Sequence, residues 1–257
     1  MKLQDNVAII TGAGSGMGQA IAIRFASEGA KVLVLDIDEE GARKTVERIN
    51  ETGGMALSIR TDVSKTNEAQ NAIDFTIRNY GSVDILVNNA GIPSFDRLID
   101  TPEDEWDRVL GVNLKGGFLF MKYAIPHMIN RKNGVILNVA SATGLTGKEN
   151  RCAYGASKAG LIFLTKAAAL EYARFGVRVN CICPGTIDTP FTRKAVEAVS
   201  QRSNASISLG SDHPIGRMGT TQEIAELALF LCSKDCEFLT GAIIPVDGGR
   251  TAGVHSG

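Results

Sequence analysis

The stretch "VAIITGAGSGMG", residues 7–18, joins a short apolar run to a glycine-rich turn. The run from Val7 to Thr11 barely alternates in polarity, as a strand covered on both faces should not. Gly12, Gly16 and Gly18 then punctuate the turn, and residues 17–29 follow with helical character. A strand, a glycine turn and a helix in that order predict the first unit of a parallel α/β sheet.

The same rhythm continues outward. Further strand-like runs are expected at 31–36, 56–62, 83–89, 134–141, 177–183 and 242–247. Helix-like segments lie between them at 17–29, 39–52, 66–80, 103–131, 154–174 and 221–233. Such alternation requires right-handed crossovers and a doubly wound parallel sheet. The reading is one α/β domain over residues 1–257, Rossmann-like, with seven strands and helices on both faces. One segment breaks the rhythm: "TPFTRKAVEAVSQRSNASISLGSDHPIG", residues 189–216, leaves the end of the sixth strand. Ligands of open α/β sheets bind beyond such ends, so this segment is expected to be a lid, with a short helix over 191–202.

Composition narrows the function classes. The chain has 257 residues, 44% hydrophobic and 21% charged, and a formal net charge of −1. No basic excess exists to attract nucleic acid or an anionic membrane. Three histidines and no HExxH pattern argue against a metal site. Cys181 and Cys183 share one strand face and read as buried thiols; cysteine use of this kind suits a reducing compartment. Met1 to Asn6 lead directly into an apolar strand with no signal segment, and the most apolar helix is broken by Lys166. A cytoplasmic protein is expected.

The glycine turn carries the first chemistry. Glycine at 12, 16 and 18 lets the backbone approach a pyrophosphate and frees amide N–H groups at a helix N-terminus. Ser15 and Met17 stand in the same loop. Asp36 ends the second strand, where a carboxylate accepts hydrogen bonds from both ribose hydroxyls of an adenosine and repels a 2′-phosphate. The loop holds no cation and residue 37 is Ile, so NAD is preferred over NADP. A helix cap is the alternative reading of Asp36. Asp62-Val63 and "NNAG" at 88–91 end the third and fourth strands at the same crevice. Asp62 can meet the adenine amino group, and Asn88 can support the sheet or the ribose. Turn chemistry alone also accounts for Asn88, Asn89, Ala90 and Gly91.

"RCAYGASK", residues 151–158, carries the second. Tyr154 and Lys158 are i, i+4 and share a helix face. An ammonium near the phenol is expected to lower its pKa from about 10, so that Tyr154 can move a proton at neutral pH. Ser141 lies thirteen residues before Tyr154, with a hydroxyl suited to holding the oxygen that Tyr154 protonates. Asn113 is a polar residue inside an apolar helix; it either holds a water leading to Lys158 or is a solvent-facing or locally bonded Asn.

Taken together, "TGAGSGMG", the Asp-Val at 62–63, "NNAG", Asn113, Ser141, "YGASK" and the Pro-Gly at 184–185 resemble the short-chain dehydrogenase/reductase family over nearly the whole chain. The resemblance implies a nicotinamide cofactor, a homotetramer and a catalytic tetrad of Asn113, Ser141, Tyr154 and Lys158. It also implies cofactor contacts from Pro184, Gly185, Thr186, Ile187 and Thr189. "NRCAY" with "CPGTIDTP" is similar to a subgroup acting on small hydroxy acids and keto-deoxy-sugar acids, in which the arginine matching Arg151 binds the acid. A solvated loop charge is the other reading of Arg151. Arg193, Lys194 and Arg202 in the lid are further candidates for that anion. The expected activity is hydride transfer between NAD and a secondary alcohol or ketone of such an acid. A neutral polyol, a 3-oxoacyl group on a carrier, or a non-catalytic dinucleotide sensor are the alternatives.

Overall fold

The computed structural model describes residues 1–193, 196 and 213–253. Seven strands form one parallel sheet: β1 (Val7–Thr11), β2 (Lys31–Asp36), β3 (Met55–Arg60), β4 (Ile85–Asn88), β5 (Gly134–Val139), β6 (Val177–Pro184) and β7 (Ile243–Val246). Their order across the sheet is β3-β2-β1-β4-β5-β6-β7. The chain therefore reverses its direction of growth between β1 and β4, and a crevice opens there beyond the strand ends.

β1, β4 and β5 are buried along their whole length, as their mainly apolar sequences allow. One apolar cluster covers one face of the sheet. It is built on Phe25 and Ile21 of α1 (Gly16–Ser27) and on Ile224 and Leu229 of a C-terminal helix. The other face is covered by Ile73 of α3 (Thr66–Tyr80) and by Phe120 and Met128 of a helix over Gly116–Arg131. α2 (Glu39–Glu51) closes the β3 edge, and α6 (Cys152–Tyr172) follows β5. The C-terminal helix, α7 (Thr221–Cys232), starts on a capping box in which Thr220 and Glu223 satisfy each other's backbone N–H groups.

The helix expected over 103–131 is not uniform. It divides into α4 (Glu103–Leu110), a π-helical turn over Gly111–Lys115, and α5 (Gly116–Arg131). A π turn inserts one residue into the helical ladder, and such insertions gather at functional sites. Here it turns Asn113 inward, where it is 2% exposed. The expected lid falls largely outside the described residues, as do Lys194 and Arg202 within it. Among the described residues no helix is long and apolar enough to cross a membrane.

Candidate active site

A cavity of about 820 Å³ opens beyond the ends of β1, β2, β4, β5 and β6. Its floor begins at the glycine turn. Gly12 and Gly16 sit at φ +63° and +57°, backbone that L side chains rarely adopt, and a Cβ on Gly12 would meet Ala90 Cα at 2.8 Å. α1 begins after Ser15 with no side-chain cap, so its first N–H groups remain available to an anion at the cavity wall. Ser15, Gly16 and Met17 line that wall, with Asp62, Val63, Asn89, Ala90 and Gly91 across from them.

Asp36 lines the far end of the cavity. Its carboxylate is already oriented: one oxygen accepts the Gly14 N–H at 2.8 Å, the other the Asp38 N–H at 2.9 Å. It thus ties the glycine turn to the end of β2. The uncapped helix start, the glycine cradle and this carboxylate fit a dinucleotide of the size the cavity accommodates.

Gly18 plays a different part from the one expected. It does not line the cavity; a Cβ there would lie 2.2 Å from the Gly12 carbonyl oxygen and 2.5 Å from Asn89 Nδ2, so it permits close packing beneath the turn. Thr186 and Ile187 also stand behind the wall formed by Pro184, Gly185 and Thr189. Ile187 is buried in the core, and the Thr186 N–H donates to His213 Nε2 at 2.9 Å. His213 was not singled out in the sequence. It is buried against Gly185, whose Cβ position lies 2.5 Å from its Nε2. Arg108, Lys115, Ser64 and Lys65 are further wall residues without a sequence motif.

At the opposite end the structure brings Asn113, Ser141, Tyr154 and Lys158 together. The Ser141 hydroxyl is near enough to the Tyr154 phenol to act on its ionisation, and it accepts the Thr143 N–H at 3.2 Å. Lys158 is buried and donates to the Val139 carbonyl at 2.9 Å, with Nζ 5.8 Å from the Tyr154 ring centroid. Burial pushes the Lys158 ammonium down to about 8. The expected lowering of the Tyr154 pKa by Lys158 is not what the free protein presents. Burial raises the phenol above its ordinary value, opposed by the Ser141 hydroxyl and by the charge of Arg151. Desolvation wins because Lys158, which gives up its proton at about 8, has already lost its charge at the pH where such a phenol titrates.

The Asn113 side chain is engaged by the loop after β4 and by α6. Its Oδ1 accepts the Ile92 N–H at 2.8 Å, and its amide donates to the Ile92 carbonyl at 3.0 Å and to Ser157 Oγ at 3.1 Å. It pins the loop after β4 to α6, just across Gly91 from Lys158.

Arg151 precedes α6. Its guanidinium donates to the Ser94 carbonyl at 3.0 Å and stacks on Phe95 with 3.8 Å to the ring centroid. It is more than a solvated loop charge: burial lowers its pKa, Tyr154 opposes that shift, and Arg250 from the C-terminal segment adds to it. Arg193 is a correction. It is exposed and paired with Asp188 at 3.1 Å, because both residues lie on one short turn, and it does not reach the cavity. Phe191 and Thr192 of the same turn do.

A family model described as Enoyl-(Acyl carrier protein) reductase matches residues 12–251. An uncharacterized oxidoreductase of Thermotoga maritima is 42% identical over 98% of this chain and 100% of its own. The cyclohexanol dehydrogenase of an Acinetobacter species, strain SE19, is 39% identical over 98% of this chain and 97% of its own. The crystal structure of levodione reductase superposes with a TM-score of 0.93 at 33% identity, covering 98% of this chain and 100% of that one. The chain therefore belongs to the short-chain dehydrogenase/reductase family, oxidoreductases that act on alcohol and ketone groups with a nicotinamide cofactor.

Proposed function

We propose that the protein is an NAD-dependent dehydrogenase of a small hydroxy acid or sugar acid, with Asn113, Ser141, Tyr154 and Lys158 as its catalytic residues. The observation that carries the acid half of this reading is the guanidinium of Arg151, half-buried on Phe95 and acting electrostatically on Tyr154, with Arg250 close enough to perturb it. A guanidinium acting on the reacting phenol, with Arg250 acting on that guanidinium, favours a substrate that brings a negative charge. Asp36 at the adenosine end supports NAD over NADP.

In this reading Ser141 and Tyr154 hold the substrate oxygen through their hydroxyls. Tyr154 Oη takes the hydroxyl proton on oxidation and returns it on reduction. The nicotinamide, when bound, accepts or donates the hydride and in its oxidised form adds one positive charge. That charge favours the phenolate, which the free protein disfavours. Lys158, held by the Val139 carbonyl, carries charge to the same place when protonated. Asn113 keeps the loop after β4 in register with α6. Thr189, Phe191 and Thr192 at the mouth begin the segment taken as the lid.

A neutral alcohol is the second reading. It is favoured by the commitment of Arg151 to Ser94 and Phe95, which leaves its guanidinium outside the cavity walls. The test is NADH formation against a panel of hydroxy acids, sugar acids, polyols and cyclic alcohols, repeated with NADP. Preference for an acid with NAD supports the first reading; preference for neutral alcohols moves it to the second. NAD binding without turnover of any substrate would point to a sensor. The family resemblance further implies a cytoplasmic homotetramer, and the exposed Phe163 and Leu170 on α6 fit burial against another subunit; light scattering measures the assembly.

A further inference from the structure

Three stretches far apart in sequence meet at one buried imidazole that the proposed chemistry does not use. They are the turn after β6, residues 185–189, the stretch 213–219, and the turn after β7, residues 247–251. His213 is 3% exposed. Its Nε2 accepts the Thr186 N–H at 2.9 Å. The β6–β7 ladder ends at Pro184 and Val246, and the next bridge joins Ile187 to Gly219. Thr186 stands between the two, past the last rung of the sheet, and its N–H takes a side-chain acceptor instead.

The ring is seated between two glycines, one from each turn. A Cβ on Gly185 would lie 2.5 Å from Nε2, and one on Gly248 would lie 3.3 Å from His213 Cβ. Backbone bonds hold the frame around it. Gly219 N–H donates to the Thr186 carbonyl at 3.0 Å, Asp188 N–H to the Gly219 carbonyl at 2.9 Å, and Ile215 N–H to the Gly248 carbonyl at 3.1 Å. Pro184, Gly185 and Thr189 face the 820 Å³ cavity, whereas His213 does not. In its contact with Thr186 the imidazole is an acceptor, a role that an amide oxygen can also fill.

We infer that His213 is a positioning residue for the cofactor: its Nε2 fixes the turn after β6, so that Pro184, Gly185 and Thr189 present one shape to the bound nicotinamide cofactor. It acts from behind the wall, through Thr186, and lies outside the cavity that substrate and cofactor would share. With the acceptor gone, the half-buried Thr186 N–H loses its partner, and the turn must shift to recover one, taking the wall with it. The inference rests on the proposed cofactor contacts of Pro184, Gly185 and Thr189 and on no choice of substrate.

NADH fluorescence titrations of the full chain read the effect without any substrate. His213→Leu removes the acceptor and keeps apolar bulk; its Kd for NADH should rise about tenfold, the size of one lost hydrogen bond. His213→Gln places an amide oxygen near the position of Nε2 and should stay within about threefold of wild type. His213→Asn carries the same amide on a shorter stem, does not reach Thr186, and should lose as much as His213→Leu. With a turned-over substrate, KM for NAD should rise in the same order while kcat changes by less. Equal losses in His213→Gln and His213→Asn would show that the ring only fills space and would overturn the inference, as would an unchanged Kd in His213→Leu. Should His213→Leu not fold, the His213→Gln and His213→Asn pair still decides. A wild type that binds neither NADH nor NADPH would remove the cofactor reading and this inference together; wild-type binding with no difference between the two amides removes the inference alone.

Discussion

The two ends of the 820 Å³ cavity are built in opposite ways. At the adenosine end the determinants are backbone: glycines at positive φ, the uncapped start of α1, and one carboxylate bound to two amides. At the Tyr154 end they are long side chains whose direction depends on neighbours far away in sequence. Arg151 lies on Ser94 and Phe95, and Arg193 folds back on Asp188. Backbone sites are specified by local sequence, whereas side-chain sites are specified by packing. The first end should therefore tolerate little and behave predictably, and the second should hold the surprises.

The sharpest test of the Tyr154 end is removal of its phenol. Tyr154→Phe should lower kcat by about 10²–10⁴-fold, the usual worth of a positioned acid or base, with NAD affinity nearly unchanged. Near-normal turnover in this variant would remove Tyr154 from the chemistry and dissolve the contrast.

Arg151→Met comes next. It keeps the stem and removes the fork, so KM for an acid substrate should rise by about tenfold to a hundredfold, from an interaction of about 1.5–3 kcal/mol. The matching alcohol or amide should be barely affected. Equal losses on both would show that Arg151 only holds Ser94 and Phe95 in place.

At the other end, Asp36→Ala should cost about tenfold in kcat/KM with NAD and improve NADP. Some of the loss should come from a looser glycine turn, since Asp36 also holds the Gly14 amide. A wild-type enzyme that already uses both cofactors equally would contradict the role given to Asp36.

A smaller effect concerns pH. Lys158 has a folded pKa of about 8 against an ordinary value of 10.5. Between those values the unfolded chain binds the extra proton, so stability from this group rises with pH across that window and is flat below it. The gain is at most about 3 kcal/mol. Urea midpoints across pH should show this slope in the wild type and lack it in Lys158→Met; the same slope in both would assign it elsewhere. Smallest of all is Arg193→Ala, which breaks an exposed, solvent-screened pair that contributes little. Its kinetics on any substrate should stay within about twofold of wild type, and a large KM change would return Arg193 to the substrate end.

Much of this molecule was legible from residues 7–18 outward. The alternation of apolar runs and helices determined the seven-stranded parallel sheet, because strands buried on both faces need continuous apolar sequence and parallel neighbours need crossovers. Glycine spacing after β1, the carboxylate ending β2, and the Tyr154–Lys158 pair were equally local signals. Other features were decided only by tertiary structure. The π turn that buries Asn113 has no residue pattern of its own. His213 reaches Thr186 across 27 positions of sequence. The Tyr154 pKa rises because burial outweighs the charges around it. Each of these depends on which atoms pack together in space, and the strength of desolvation and the direction of a long side chain follow from that packing rather than from residue order.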